Sequence, residues 1–361
     1  MAELGLDSLT AVEIGVELQR LVPDTKIPGE LLVQSDITLA TLLNVLRLSP
    51  SAPVIFNSAE ASMSLFTESN DATFSTSRVS TSVSGVSDGA MTVLNHIGTN
   101  PELIQDKPGT LPVLLIHDGG GTALAYRLLG NIGRTVLGIH SPGLHERKGI
   151  ISIRHAADQY AKVARQWLNQ HSPQRPQLLV GGWSLGGTIA IALAAAYPDL
   201  AVGVILLDPP PPGTAAMKPD EAERLIPTGN TNSSIGFSML VKAQLQMNAQ
   251  SLSVDADRQG GQVELIADLK ALVYLISAIE PLSHQEGSGT DLTSAGSCSE
   301  WMLSHERAKM SEAAWSDILG GLLVGTERTA GDHFTMFTHA HAASTTRAVQ
   351  HAINALEARL A

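Results

Sequence analysis

The chain has 361 residues, 43% of them hydrophobic and 16% charged, with a formal net charge of -12. That length allows two to three domains with a full apolar core, while the acidic balance argues against nucleic acid and against an anionic membrane surface as partners. No stretch is long and apolar enough to span a bilayer, the start Met1-Ala2-Glu3-Leu4 lacks the pattern of a secretory signal, and the single cysteine, Cys298, excludes an internal disulfide, so a soluble, cytoplasmic protein is the default expectation.

In chain order, Asp7 or Ser8 would cap an amphipathic run from Leu9 to Leu21, with Leu9, Val12 and Val16 on one side and Glu13, Glu17 and Arg20 largely opposed. A loop from Ile27 to Leu32 and a second short helix over Asp36–Leu46 follow. The stretch Leu4-Gly5-Leu6-Asp7-Ser8-Leu9 resembles the phosphopantetheine attachment motif of acyl carrier domains. The resemblance implies a phosphopantetheine arm on Ser8, at a helix start where the dipole favours the phosphate; the plainer reading makes Ser8 a helix cap. Only seven residues precede Ser8, so residues 1–48 are expected to be a partial carrier domain cut from a longer synthase, with little or no loading of Ser8.

Residues 49–92 are rich in Ser and Thr, poor in charge and without a sustained period. Such a composition has no core to bury, and 49–109 is expected to be a flexible linker.

From Thr110 the pattern alternates between strand and helix, which implies an α/β domain over 110–361 with a parallel sheet and a site at the strands' carboxyl ends. Strands are expected at Val113–His117, Thr135–His140, Gln177–Val180, Ala201–Leu207 and Leu322–Val324, and helices at Leu124–Leu129, Ile153–Asn169 and Thr345–Leu360. Helix-like pieces at Pro219–Leu225, Phe237–Met247 and Val263–Ile279 suggest a helical lid over about 213–282. Residues 283–300 are almost devoid of apolar side chains where a buried strand is due, so they read as a surface insertion or as a lost strand.

The centre of the pattern is Gly181-Gly182-Trp183-Ser184-Leu185-Gly186-Gly187, between an apolar strand and the helix-like run Thr188–Ala196. Strand, Gly-flanked serine and helix are the context of a nucleophile elbow; otherwise Ser184 is the cap of that helix. A serine nucleophile needs a base, and the base an orienting carboxylate. In the chain order Ser, acid, His, Asp208 at the end of a buried strand is the acid and His333 in Gly331-Asp332-His333-Phe334 is the base. Asp332 could hold His333 structurally, and His339 and His341 are nearby competitors in what reads as the following helix. The oxyanion hole is expected from the Leu185 N–H and one from Asp118 or Gly119 in the loop Asp118-Gly119-Gly120-Gly121. No Cys or carboxylate cluster completes a metal site around the His-x-His pair.

Gly-Trp-Ser-Leu-Gly-Gly, the early Asp208 and Gly-Asp-His-Phe-Thr-Met-Phe together resemble the thioesterase domains that end polyketide and nonribosomal peptide synthases, and His117-Asp118-Gly119-Gly120-Gly121 resembles the fungal members. The resemblance implies an α/β-hydrolase fold with a helical lid, behind the partial all-α carrier and the linker. It implies release of an acyl chain from a phosphopantetheine thioester through an ester on Ser184, by hydrolysis or cyclisation, with the carrier-bound acyl chain and upstream synthase domains as partners. The alternatives are a free-standing esterase or lipase and a catalytically dead carrier-docking module, the latter if the absent strand at 283–300 misplaces His333.

Overall fold

The structure, a computed structural model, describes residues 100–146, 148–214, 244–248, 266–282 and 298–360. The carrier-like stretch with Ser8, residues 49–99 of the linker and the helix-like piece at Pro219–Leu225 lie outside the described residues.

Seven strands form one sheet: β1 Glu102–Gln105, β2 Val113–Ile116, β3 Val136–Ile139, β4 Leu178–Trp183, β5 Ala201–Leu207, β6 Leu272–Ala278 and β7 Leu323–Thr329, in spatial order β1-β3-β2-β4-β5-β6-β7. β1 runs antiparallel to β3 at the edge; all other pairs are parallel. The central strands are apolar throughout because helices cover both faces, and a strand buried on both sides loses the polar half of its alternation.

The period of two sorts their side chains into two layers. Leu114, Ile116, Val180, Val204, Leu206, Val273 and Leu275 face α1 (Ile153–His171), α2 (Leu185–Ala196) and α4 (Arg307–Leu319). Val113, Leu115, Leu179, Ile205, Leu207 and Ile276 face α5 (Ala342–Leu360) and the 3-10 turn Leu124–Leu128. Between α2 and α4 in sequence lies the short α3 (Cys298–Leu303). α1 is amphipathic and starts on Ser152, whose hydroxyl accepts from the His155 N–H at 3.1 Å. α2 is apolar almost all round and is buried, as such helices must be.

Two boundaries differ from expectation. Glu102–Gln105, inside the expected linker, is the edge strand β1, tied down by the Gln105 side chain on the Gly130 carbonyl and the Arg127–Glu102 ion pair; four mixed residues give almost no period to read. The second correction is larger. Leu272–Ala278, expected as part of a lid helix, is the strand β6 between β5 and β7. A continuous apolar run buried on both faces has no period that separates strand from helix. The strand between β5 and β7 is thus supplied by Leu272–Ala278, about ten residues before the stretch 283–300, of which 283–297 lie outside the described residues, and the lid cannot extend to 282. Of the expected lid, residues 244–248 are helical.

Candidate active site

Ser184 sits at the carboxyl end of β4 with φ 56° and ψ -120°, a conformation costly for a residue with a Cβ. The chain is held there by packing. A Cβ on Gly182 would lie 2.4 Å from the Gly186 carbonyl carbon, and one on Gly186 would lie 2.3 Å from the Ile116 carbonyl oxygen. Both glycines are thus required by close backbone approach. The Ser184 N–H donates to the Leu207 carbonyl at 2.9 Å. Tyr126 braces the same turn: its hydroxyl accepts from the Trp183 N–H at 2.8 Å and donates to the Ile116 carbonyl at 2.6 Å.

Ser184, His333 and Asp208 form one hydrogen-bonded chain. Ser184 Oγ lies 3.0 Å from His333 Nε2, and His333 Nδ1 lies 2.7 Å from Asp208 Oδ2. A carboxylate only accepts, so Nδ1 carries the proton and Nε2 is left to accept from the serine hydroxyl. Asp208 is fully buried and His333 is 2% exposed. Asp208 also has a positive φ, 47°, and its N–H donates to the Ile276 carbonyl at 2.7 Å, so β6 fixes the acid directly.

Asp332 Oδ1 accepts from the Phe334 and Thr335 N–H groups, both at 2.9 Å, and shapes the turn that carries His333. His341 packs against Gly331 in the same turn. Neither His339 nor His341 is in the helix expected to hold them; α5 begins at Ala342. Among the described residues no group of three or more His, Cys, Asp or Glu side chains could hold a metal ion.

The expected oxyanion donors adjoin the serine. Leu185 is the first residue of α2, so its N–H has no intrahelical acceptor. Contact of Gly186 with the end of β2 brings the Asp118–Gly121 loop to the same helix terminus. His117 holds that loop from behind: Nδ1 lies 2.6 Å from the Asp118 carbonyl and Nε2 2.6 Å from the Tyr160 hydroxyl. The carbonyl can only accept, so Nδ1 donates and the tyrosine donates to Nε2. Burial pushes the His117 pKa down to about 4, which keeps this ring neutral. The Asp118 carbonyl also accepts from Gly121, and across the planar trans peptide the Gly119 N–H points the opposite way. Helix 244–248 closes over the loop: Asn248 Nδ2 donates to the Gly119 carbonyl at 2.8 Å, and Leu245 fills the space above Gly119.

Two residues the sequence did not single out stand behind the triad. Arg307 is fully buried and donates from Nη2 to Asp208 Oδ2 at 2.8 Å. Trp301 lies over its guanidinium at 4.5 Å and meets the His333 ring edge-on at 5.5 Å. Burial alone would raise the Asp208 pKa, but the Arg307 charge and the His333 hydrogen bond outweigh it and hold the carboxyl below its ordinary value. Asp118 has no such cation beside it among the described residues, and desolvation pushes it up to about 6 despite hydrogen bonds from the loop amides.

Residues 112–227 match the family model described as alpha/beta hydrolase fold. Over 412 residues, covering all of this chain, it is 35% identical to the atrochrysone carboxylic acid synthase PKS4 of Calonarius odorifer and spans 24% of that protein. It is 35% identical over 147 residues, 38% of this chain, to the thioesterase frbD of Dothideomycetidae sp. (strain 11243), of which the match spans 54%. The orsellinic acid synthase of Beauveria bassiana is 24% identical over 73% of this chain, which spans 13% of that synthase. The chain thus spans about a quarter of the length of the first of these relatives and little more than half of the second. Sheet order, family match and relatives agree that the chain carries an α/β-hydrolase domain of the thioesterase kind associated with fungal polyketide synthases.

Proposed function

We propose that the chain releases an acyl group from a carrier-bound thioester by way of an ester on Ser184. The single observation that carries this reading is the unbroken hydrogen-bond chain from Ser184 through His333 to Asp208. His333 Nε2 takes the hydroxyl proton as Ser184 Oγ attacks the thioester carbonyl carbon. The Leu185 N–H and the Gly119 N–H, with Asp118 as the alternative donor, meet the charge that develops on the carbonyl oxygen. The carbon–sulfur bond breaks, and the thiol leaves with the proton returned by His333. Water or a nucleophile within the acyl chain then attacks the Ser184 ester, with His333 again as base, and the product leaves as acid, lactone or carbon-cyclised compound.

Delivery by a carrier rests on the Leu4–Leu9 motif, with phosphopantetheine on Ser8 of this chain or of another carrier, and on relatives that are themselves large synthases. Upstream synthase domains would supply the acyl chain. The dead-module alternative required a misplaced His333, and the strand thought absent is β6. The free-standing esterase remains the reading to separate. Thiol release from an acyl-pantetheine thioester is compared with hydrolysis of the matching simple alkyl ester. Turnover of the thioester, lost in Ser184→Ala, is expected; a chain that cleaves the alkyl ester and leaves the thioester intact would rule out the proposal.

A further inference from the structure

Arg307 has no role in the proposed chemistry, yet it is fully buried with its charge on the triad acid. Nη1 donates to the Ala278 carbonyl at 2.7 Å and Nη2 to Asp208 Oδ2 at 2.8 Å, while Nε meets no acceptor among the described residues. The Trp301 indole covers the guanidinium and donates from Nε1 to the Arg307 carbonyl at 3.2 Å. A guanidinium removed from water on these terms gains little stability over a well-packed apolar side chain. Its position does something else. Asp208 Oδ2 is shared between Arg307 and His333, and Oδ1 accepts from the Ala278 N–H at 3.0 Å, so three donors among the described residues fix the carboxylate.

We propose that Arg307 is a positioning residue for the triad: its guanidinium holds Asp208 as an aligned carboxylate in a site closed to bulk solvent, and so keeps His333 in the tautomer that accepts the Ser184 proton. This rests on the triad reading above. Without Arg307, an isolated buried carboxyl favours its neutral form. A protonated Asp208 would donate to His333 Nδ1, move the ring proton to Nε2 and leave Ser184 without an acceptor. Three other ionisable groups described near the pair have partners or contacts of their own. Glu280 Oε1 accepts from the Gly331 N–H, Asp332 caps its own turn, and His341 packs on Gly331.

The test uses the full chain and a fluorophosphonate probe whose labelling of Ser184 is followed against pH. In Arg307→Met, the midpoint of the acid limb should move up by about one unit or more, because the Asp208–His333 pair then takes up a proton more readily. Arg307→Lys, which keeps the charge, should recover at least half of that shift. A uniform fall in labelling at every pH, with the midpoint unmoved, would mean a structural role only and would overturn the proposal. So would an Arg307→Lys limb displaced as far as that of Arg307→Met. If Arg307→Met does not fold, the Asp208 carboxyl of the parent chain is titrated by ¹³C NMR, assigned against Asp208→Asn. It should stay ionised through the ordinary carboxylate range, and protonation within or above that range overturns the proposal. This last measurement needs no activity, so a parent chain that fails to label condemns the triad reading without deciding the role of Arg307.

Discussion

The two halves of the site are built on different principles. On the β2–β4 side, backbone geometry sets the frame: a serine in a strained turn, glycines that let α2 touch the end of β2, and an Asp118 loop whose main chain is held by the Gly121 N–H, His117 and Asn248. On the β5–β6 side, side chains do it: Asp208, Arg307, Trp301 and His333 are buried against one another from four separate elements. The two acids mark the contrast, since Asp118, with no cation beside it among the described residues, is pushed up to about 6 and Asp208 beside Arg307 is held low. Backbone places Ser184, whereas a charge network fixes His333.

The sharpest way to break the side-chain half is Asp208→Asn. It removes the acceptor that sets the His333 tautomer and leaves Arg307 buried without its counter-charge. Ser184 labelling should fall by about 10⁴-fold, and denaturant unfolding should show a loss of about 3–5 kcal/mol. A fall of less than tenfold would mean that Asp208 does not orient the base.

For the backbone half the matching change is Gly186→Ala. The new Cβ meets the Ile116 carbonyl oxygen, a partner that cannot turn aside. A loss of about 1–3 kcal/mol is expected, with weaker Ser184 labelling even where the chain stays folded. Normal labelling and stability would show that the elbow does not depend on this close approach.

Whether β6 belongs to the core is tested by Leu275→Ala against Leu103→Ala. Leu275 is fully buried and its truncation should cost about 2–5 kcal/mol. Leu103, 50% exposed on the edge strand, should change stability by no more than about 0.5 kcal/mol. Equal effects would contradict the placement of Leu272–Ala278 inside the sheet.

The smallest effect separates the two acids by pH. A carboxyl whose pKa is raised on folding binds a proton in the folded state first, so its contribution falls as pH rises from 3.8 to about 6. Asp118→Asn, which keeps the Oδ1 acceptor for Gly120, should therefore gain stability on the parent across that window. Asp208 has the opposite sign: its contribution is present above the ordinary carboxylate range and is lost as pH falls through its depressed value. A parent and an Asp118→Asn variant with parallel melting profiles from pH 4 to 6 would contradict the raised value.

The same contrast explains what the sequence could disclose. The elbow is legible because close backbone approach demands glycine at fixed offsets from Ser184, within a few residues of chain. Asp208 and His333 were expected from their places after apolar strands in a known chain order, and the structure brings them within hydrogen-bond reach of each other and of Ser184. Arg307 and Trp301 were not, because nothing local distinguishes a buried arginine in α4 from a solvated one; only the fold brings it to an acid 99 residues away. β6 was misread because Leu272–Ala278, covered on both faces, carries no alternation. Tyr126 and His117 were passed over for a related reason: Tyr126 acts through two hydrogen bonds to backbone that the sheet brings close, and His117 through its neighbour's carbonyl and the hydroxyl of Tyr160, 43 residues away.

The central claim is that Ser184 becomes acylated. The direct measurement is the intact mass of the chain, quenched at short times after mixing with an octanoyl-N-acetylcysteamine thioester, with the modified residue mapped by peptide digestion. The account predicts one octanoyl group on Ser184 and none on Ser184→Ala, which should release thiol at least about 10³-fold more slowly. Thiol release by Ser184→Ala at the parent rate, with no acyl group ever found on Ser184 of the parent, would contradict it.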